Sequence, residues 1–362
     1  MFFLYFFYVY LSNLNLKKMK KISLFMLLFI VTQISKAQDI DALFAAGKEN
    51  AQRFTNDYLA QGTNGLMYSM NANWFNTADA KPLGGFEISV VANAVTIKDE
   101  NKMFLMDMAQ YNSADYDFTV AFQDNETLQT KLVATVLGEN DPDVKLIVRS
   151  KTTPNFNSQT ITLPSGIGEA TANLLPTAFI QGALGLSKGI ELKARFVPKV
   201  DTQDVLVNIY GAGLQVEFTK WLPADKILPV AISGLIAYTH LGCSYDITES
   251  SGINGSNQRI ENETNTWLYQ LIASTKLPVI NFYGGIGYIK GKSESDVLGT
   301  YVVTGGPLIS RTETDPFSVS SKVSGVRGTI GTKLKIGFFR LNAEYHLAEF
   351  DAFAVGINFG FR

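Results

Sequence analysis

Apolar residues alternate with polar or small residues along several segments of this chain, and this pattern restricts its fold more than any other feature. Successive side chains of a β-strand point to opposite faces, so each segment has one apolar and one polar face. The alternation is clear in 190–197, 326–336 and 340–347. The last segment sets Phe353, Val355, Ile357, Phe359 and Phe361 against Ala354, Gly356, Asn358 and Gly360. Alternating segments of about ten residues are typical of transmembrane β-barrel strands.

The connections between these segments distinguish a membrane barrel from a soluble β-sandwich, whose strands also alternate. Tight links around 337 and 277–278 alternate with long polar links at 291–324 and 242–265. The long links therefore fall on one side of the sheet and the tight links on the other. Outer-membrane barrels have short periplasmic turns and long external loops. The chain is predicted to be all-β, a transmembrane antiparallel β-barrel of about 10–14 strands.

Aromatic residues separate into two groups along the predicted strands. With a periplasmic C-terminus, the group near the inner strand ends comprises Phe218, Trp221, Phe282, Phe338, Phe359 and Phe361. The group near the outer ends comprises Tyr238, Trp267, Tyr269, Tyr288 and Tyr345. Two such belts mark the two interfaces of a membrane, whereas a sandwich core would not sort them.

Residues 1–37 are interpreted as an N-terminal extension plus a secretory signal peptide. Two lysines precede the apolar run 22–34, and Ser35-Lys36-Ala37 follows it. This order is typical of a signal peptide, here cleaved near Ala37. The run is shorter than the roughly 20 residues that span a bilayer. The alternative is an unusually long signal or anchor. The predicted location is the outer membrane of a Gram-negative bacterium.

The exported part is expected to begin with an amphipathic helix within residues 38–65. Apolar side chains recur at helical spacing between Asp39 and Leu59. The barrel is predicted to occupy 66–362, with strand candidates at Leu66–Phe75 and Phe86–Val95. If the strand Leu66–Phe75 runs from the outside inward, the chain before it must first cross to the outside. A helix that lies inside the lumen as a plug would carry the chain across. The alternative is an odd strand count with the helix in the periplasm.

Residues 97–176 form an acidic, weakly patterned segment. Residues 97–151 hold six positive and ten negative charges. Weak strand patterns occur at Tyr116–Phe122, Leu128–Val136 and Val144–Val148. These strands either belong to the barrel wall or form a large external excursion.

Charge and composition exclude several classes of function. The whole chain has a net charge of −2, and its first 37 residues contain five lysines and no acid, so the remainder carries −7. An acidic chain without a basic block does not indicate a nucleic-acid partner. One cysteine and two histidines exclude Cys-rich zinc sites and leave little for a histidine-based metal centre. We expect no metal and no cofactor.

The two histidines give no indication of an enzyme. His240 lies on the predicted lipid-facing row, and His346 lies on the predicted lumen row. Neither has a serine two positions further on, the arrangement found in outer-membrane phospholipase. We therefore predict no catalytic residues.

Ten side chains are predicted to line the lumen and are candidate solute contacts: Glu191, Lys193, Arg195, Lys276, Arg327, Lys333, Lys335, Arg340, Glu344 and His346. With Glu217, this row has seven positive and three negative charges. Two interpretations stay open. The charges pair and brace the wall, or they form a pore or pocket that favours anions or carboxylate head groups.

Several short motifs resemble an uncharacterised family of predicted outer-membrane β-barrels that is common in Bacteroidota. They are Lys36-Ala37-Gln38, Leu163-Pro164-Ser165-Gly166, 191–198, Trp221-Leu222-Pro223 followed by Leu228-Pro229-Val230, and the C-terminal strand. The architecture more distantly resembles fatty-acid channel proteins. One departure is that Phe361 is penultimate, because Arg362 ends the chain.

The expected function is a channel or transporter for small or amphipathic solutes, anions among them. The alternative is a structural or adhesive surface barrel whose long acidic loops bind a partner, and an outer-membrane hydrolase comes third. Expected partners are outer-membrane lipid, a small-molecule solute and, during biogenesis, the barrel-assembly machinery.

Overall fold

The computed structural model describes residues 46–151, 158–166, 173–201, 205–223, 229–247, 255–304 and 310–361. The predicted extension and signal peptide at 1–37, with the first part of the predicted helix, lie outside these ranges.

Ten antiparallel strands form a closed barrel, which confirms the predicted fold class. In order around the barrel they are β1 (Phe86–Thr96), β7 (Leu174–Gly185), β8 (Ile190–Asp201), β9 (Val205–Glu217), β10 (Val230–Asp246), β11 (Gly255–Thr275), β12 (Ile280–Thr304), β14 (Phe317–Ile336), β15 (Phe339–Leu347) and β16 (Ala352–Phe361). Pairing of β16 with β1, and of β11 with β12, closes the ring. Closure matters because it leaves no unpaired strand edge in lipid.

The apolar residues of the alternating segments form the outer surface of this barrel, and the residues between them form its inner surface. On β14, Val326 is 68% exposed on the outside, whereas the adjacent Arg327 is 2% exposed on the inside. The same contrast holds along β16, where Phe353, Val355 and Ile357 face outward. An uninterrupted apolar outer surface of this kind is suited to lipid. Among the described helices, none is long and apolar enough to cross a membrane.

The two ends of the barrel differ. At one end, β14 and β15 are joined by Gly337 and Phe338 alone, and Gly337 has a φ of 62°. A glycine with positive φ at the first turn position permits a two-residue hairpin whose twist matches the strands. At the other end, the chain makes a long excursion between β1 and β7. We call these the turn end and the loop end.

Residues 97–173 form that excursion, and its described parts, 97–151 and 158–166, contribute no strand to the wall. It contains β2 (Met103–Asp107), α2 (Met108–Tyr111), β3 (Phe118–Phe122), β4 (Thr130–Ala134), β5 (Lys145–Ser150) and β6 (Gln159–Thr162). These strands pair as β2–β4 and as β3–β5–β6. They enclose their own apolar cluster, which includes Phe122, Val133 and Leu146.

The polar links predicted at 242–265 and 291–324 are mostly strand, so this part of the prediction is wrong. Strands β10, β11, β12 and β14 continue past the apolar belt, and β13 (Ser310–Thr314) extends β12 at the loop end. Backbone pairing does not need a continuous apolar face. Part of the inner face of these extensions, including Tyr301 and Val319, packs around Ala51 in a buried cluster.

Helix α1 (Lys48–Ser69) lies at the loop end and runs further than the predicted helix. Its N-terminal part packs on the excursion through Phe54, and its C-terminal Met67 and Tyr68 pack inside the barrel. The amide of Asn71 donates to the Met67 carbonyl at 2.8 Å, and Asn73 has a φ of 55°. Both features end the helix, because they satisfy a terminal carbonyl and turn the chain.

The predicted strand Leu66–Phe75 is therefore wrong. The last turn of α1 is followed by an irregular stretch, residues 70–81, that passes through the lumen to β1. We call it the plug segment. Its apolar and polar side chains alternate because they meet different groups of the surrounding wall. The sequence predicts a plug from the helix within 38–65, but the segment that fills the lumen is 70–81, and the N-terminal part of the helix packs on the excursion instead.

Candidate functional site

The backbone of the plug segment is held mainly by side chains of the barrel wall. Arg195 donates from Nη1 to the Met70 carbonyl at 2.8 Å and from Nη2 to the Ala72 carbonyl at 2.9 Å. Further along, Gln215 donates to the carbonyls of Thr77 and Ala78 at 3.1 and 3.2 Å. An irregular segment has few internal hydrogen bonds, so the wall supplies the partners its buried backbone needs.

Two buried carboxylates hold the turn-end part of the plug segment. Glu217 accepts the backbone N–H of Ala80 at 2.7 Å, and Glu191 accepts that of Lys81 at 3.0 Å. Lys193 lies 2.6 Å from Glu191, while Lys276 lies 3.5 Å from Glu217. Both predicted lumen lysines are thus paired with carboxylates that also bind the plug segment.

A second group of charges surrounds Glu87, at the start of β1. Its carboxylate lies 2.6 Å from Arg340, 3.0 Å from Lys333 and 3.8 Å from Lys81. Sequence reasoning missed Glu87 and Lys81. Glu87 is the first inward residue of the alternating segment 86–95, so the pattern could have identified it. Lys81 lies in the aperiodic plug segment and carries no such signal.

All ten predicted lumen residues face the interior, and the structure brings most of them into contact with partners. Lys335 is half-buried at the turn end, close to the group around Glu87. His240 faces outward near the loop end as predicted, stacked on Tyr210 with the ring centroids 4.7 Å apart. The bracing interpretation therefore describes Glu191, Lys193, Lys276, Lys333 and Arg340.

A series of hydrogen-bonded polar side chains lies on the inner face of the wall, near the middle of the lumen. His346 Nδ1 lies 3.0 Å from the Thr329 hydroxyl, and its Nε2 lies 2.8 Å from Glu344. Glu344 also accepts the Asn73 N–H at 2.7 Å and the Tyr283 hydroxyl at 3.2 Å. The order of hydroxyl, imidazole and carboxylate suits proton transfer, but Thr329 is 2% exposed and receives a hydrogen bond from Gln270.

The described residues contain no group of three or more His, Cys, Asp or Glu side chains placed to hold a metal ion. Trp74, Phe75 and Met70 are buried in the lumen beside the charged groups. The plug segment thus closes the interior with both polar and apolar contacts.

These features define a transmembrane β-barrel closed by a plug segment of the same chain. The chain belongs to the Family of unknown function (DUF6588), which matches residues 18–361. No curated protein matches it.

Among solved structures, the chain is similar to Ail, the attachment invasion locus protein of Yersinia pestis, at 10% identity, over 77% of this chain and 99% of that one, with a TM-score of 0.21. It is similar to the beta domain of the Bordetella autotransporter Brka at 8% identity, over 77% of this chain and 100% of that one, with a TM-score of 0.31. It is similar to the translocator domain of the autotransporter NalP from Neisseria meningitidis at 11% identity, over 83% of this chain and 94% of that one, with a TM-score of 0.27. The assignment as a membrane barrel rests on the closed strand order and the apolar outer surface.

Proposed function

We propose that the protein is an outer-membrane channel or transporter for small or amphipathic solutes, closed at rest by the plug segment. The observation that carries this proposal is the attachment of residues 70–81 to the wall. A barrel with a purely structural role can fill its interior with wall side chains. Here a separate stretch of chain fills it.

The chemistry of the attachment supports reversible opening. Arg195 and Gln215 donate to the plug backbone and Glu217 accepts from it; these hydrogen bonds can be exchanged for water, and each contributes only about 1–3 kcal/mol net. With the plug segment moved aside, the wall would present more cations than carboxylates. Such a surface favours anionic solutes.

A disulfide between the wall and Ser69, the residue of α1 that directly precedes the plug segment, tests the proposal directly. The hydroxyl oxygens of Ser69 and Thr177 lie 2.6 Å apart, so sulfur atoms at these two positions can come within reach of an S–S bond, which is about 2.05 Å long. In a Cys243→Ser background, oxidised Ser69→Cys/Thr177→Cys protein should show no solute flux into liposomes and no conductance in planar bilayers. Reduction should restore both.

A matched control links two wall strands and leaves the plug alone. The Thr264 and Ser293 hydroxyls, on β11 and β12, lie 2.7 Å apart. Thr264→Cys/Ser293→Cys should conduct equally in its oxidised and reduced forms. A protein that does not conduct in any redox state, even after deletion of residues 70–80, would rule out transport.

The excursion supports a second candidate, a surface barrel that binds a partner. Its two sheets share a buried apolar cluster, so residues 97–151 and 158–166 present a folded surface. Leu105 and Leu132 are cross-strand neighbours on β2 and β4 and are 61% and 58% exposed. If binding is the main role, Leu105→Ser/Leu132→Ser should reduce attachment of cells to host or bacterial surfaces without changing solute flux.

We also propose that the excursion faces outside the cell and that the protein contacts outer-membrane lipid after signal cleavage near Ala37 and insertion by the barrel-assembly machinery. The exposed apolar belt supports the lipid contact. We propose that the protein has no catalytic activity. The burial of the Thr329 hydroxyl supports this proposal. Labelling of an excursion cysteine on intact cells tests the orientation.

A further inference from the structure

Arg327 differs from every other charged residue of the lumen discussed above. It lies on β14 at the middle of the barrel and is 2% exposed. Its Nε and Nη2 atoms are buried without a hydrogen-bond partner. Within the described ranges, no carboxylate lies within 4.0 Å of its guanidinium.

A guanidinium in this position requires a compensating anion. Arginine stays protonated in proteins, so it cannot lose its charge as a buried lysine can. Burial without a partner carries a large desolvation cost. Lys333, equally buried on the same strand, lies 3.0 Å from Glu87. Arg327 has no such carboxylate.

The acidic group nearest in the network is engaged elsewhere. Glu344 accepts from the Asn73 N–H and the Tyr283 hydroxyl and contacts His346. Arg195, a second buried arginine without an ion pair among the described residues, lies within electrostatic range of Arg327. Two arginines therefore share the influence of one carboxylate, which leaves the middle of the lumen positive.

The orientation of the unpaired atoms identifies the kind of anion. Nε and Nη2 form one edge of the planar guanidinium, and their N–H bonds point in the same direction. This edge binds two oxygens of a carboxylate or phosphate group in parallel. A halide ion would accept from the same edge at a single point.

The wall strand opposite Arg327 carries glycine at two inward-facing positions. Gly287 is directly opposite Arg327 in the β12–β14 register, and Gly285 is opposite Thr329. Gln270 is the nearest side chain at Gly287, because a Cβ at Gly287 would lie 3.1 Å from Gln270 Cγ. The Oε1 atom of Gln270 is also buried without a partner. Strand β12 thus places no side chain of its own directly opposite the unpaired arginine.

We propose that Arg327 is the central contact of a lumen site for a small oxyanion, a carboxylate or phosphate group. This proposal extends the proposed function, because it assigns the solute class, but its test does not require transport. The anion is supplied while the barrel refolds, so that it can reach the lumen without opening of the plug segment.

The test measures binding to the refolded full-length mature chain in detergent. Protein is refolded from urea across a concentration series of inorganic phosphate, acetate or chloride at equal ionic strength, so that each anion is present before the lumen closes. Emission of Trp74 reports the lumen in a Trp221→Phe/Trp267→Phe background, because the chain has three tryptophans. Saturable binding of phosphate or acetate supports the site and shows which group it takes. No binding, or equal binding of chloride, overturns it.

Substitutions locate the site. Arg327→Gln should weaken oxyanion binding by about tenfold or more, and Arg327→Lys should bind with intermediate affinity because an ammonium lacks the two-point edge. Lys322→Gln changes an exposed cation on the same strand and should bind as wild type. Unchanged binding in Arg327→Gln overturns the proposal. If Arg327→Gln does not refold, the Arg327→Lys titration decides. Binding without conductance would leave this site intact and reject only the transport proposal.

Discussion

The guanidinium of Arg195 lies over the indole of Trp74, with its central carbon 3.7 Å from the ring centroid. A wall side chain is thereby stacked on a side chain of the plug segment, and the same guanidinium donates to the Met70 and Ala72 carbonyls. This single residue joins β8 to the irregular stretch by stacking and by hydrogen bonds.

Arg195→Met should loosen the plug segment without unfolding the barrel. The change removes the stacking, takes the guanidinium donor from the Ala72 carbonyl and leaves the Met70 carbonyl with the Thr239 hydroxyl at 3.3 Å, a loss of roughly 2–4 kcal/mol. Hydrogen exchange of the amides in 70–81 should become faster, while that of the wall strands stays the same. Lys322→Met is the control for loss of a charge. Equal exchange in wild type and Arg195→Met would contradict the anchoring role.

Glu87→Gln should strongly destabilise the whole molecule. Removing this carboxylate leaves Lys81, Lys333 and Arg340 without their shared partner, and breaking a buried ion pair costs about 3–5 kcal/mol. The urea midpoint, read from the difference in gel mobility between boiled and unboiled samples, should fall. The exposed Glu100→Gln should stay within about 0.5 kcal/mol of wild type. Equal midpoints for the two variants would show that the group is not stabilising.

Gly331→Ala should displace an aromatic contact between wall and plug. A Cβ at this position would lie 2.6 Å from Cε2 of Tyr283. The Tyr283 ring packs edge-on against Phe75, with centroids 5.4 Å apart. Overpacking of this kind costs about 1–3 kcal/mol. Gly182→Ala is the control, since its Cβ would meet nothing within 4 Å. Thermal unfolding followed by circular dichroism distinguishes the two.

Asp57 in α1 should make stability depend on pH. Burial raises the pKa of Asp57 above its ordinary value of 3.8, although Arg53 acts in the opposite direction. The folded state therefore holds this proton more tightly than the unfolded chain, and the resulting stability is present below pH 3.8 and is lost as pH rises through the raised pKa. Asp57→Asn should raise Tm at pH 7 and leave it unchanged below pH 3.8. A lower Tm at pH 7 would mean that the ionised carboxylate is stabilising.

The sequence-based predictions were accurate where the signal is local. Each inward or outward assignment in 190–197, 326–336 and 340–347 depends only on the two-residue period of a strand. The same period misled the interpretation of Leu66–Phe75, where helix α1 continues to Ser69 and an irregular stretch follows. A pattern of buried and exposed side chains has the same appearance whether a wall or a plug produces it.

Seven lumen cations against three carboxylates could be counted from the sequence, but their partners could not. Arg195 meets Met70 across 125 positions of chain, and Glu87 meets Arg340 across 253. Lys81 became visible only when the plug segment was placed, whereas the alternation of 86–95 could have identified Glu87, which pairs with several of these charges. The contrast between the paired Lys333 and the unpaired Arg327 likewise required coordinates.

By itself, the sequence determined a closed transmembrane barrel with an apolar outer face and a charged inner face, because strand alternation and connection length are properties of short stretches of chain. Only the tertiary structure decided that residues 70–81 fill the lumen, that 97–151 and 158–166 stay outside the wall, and that Arg327 lacks a carboxylate among the described residues. These depend on which distant groups meet inside the barrel, and that choice is made by burial and hydrogen bonding between elements far apart in the chain.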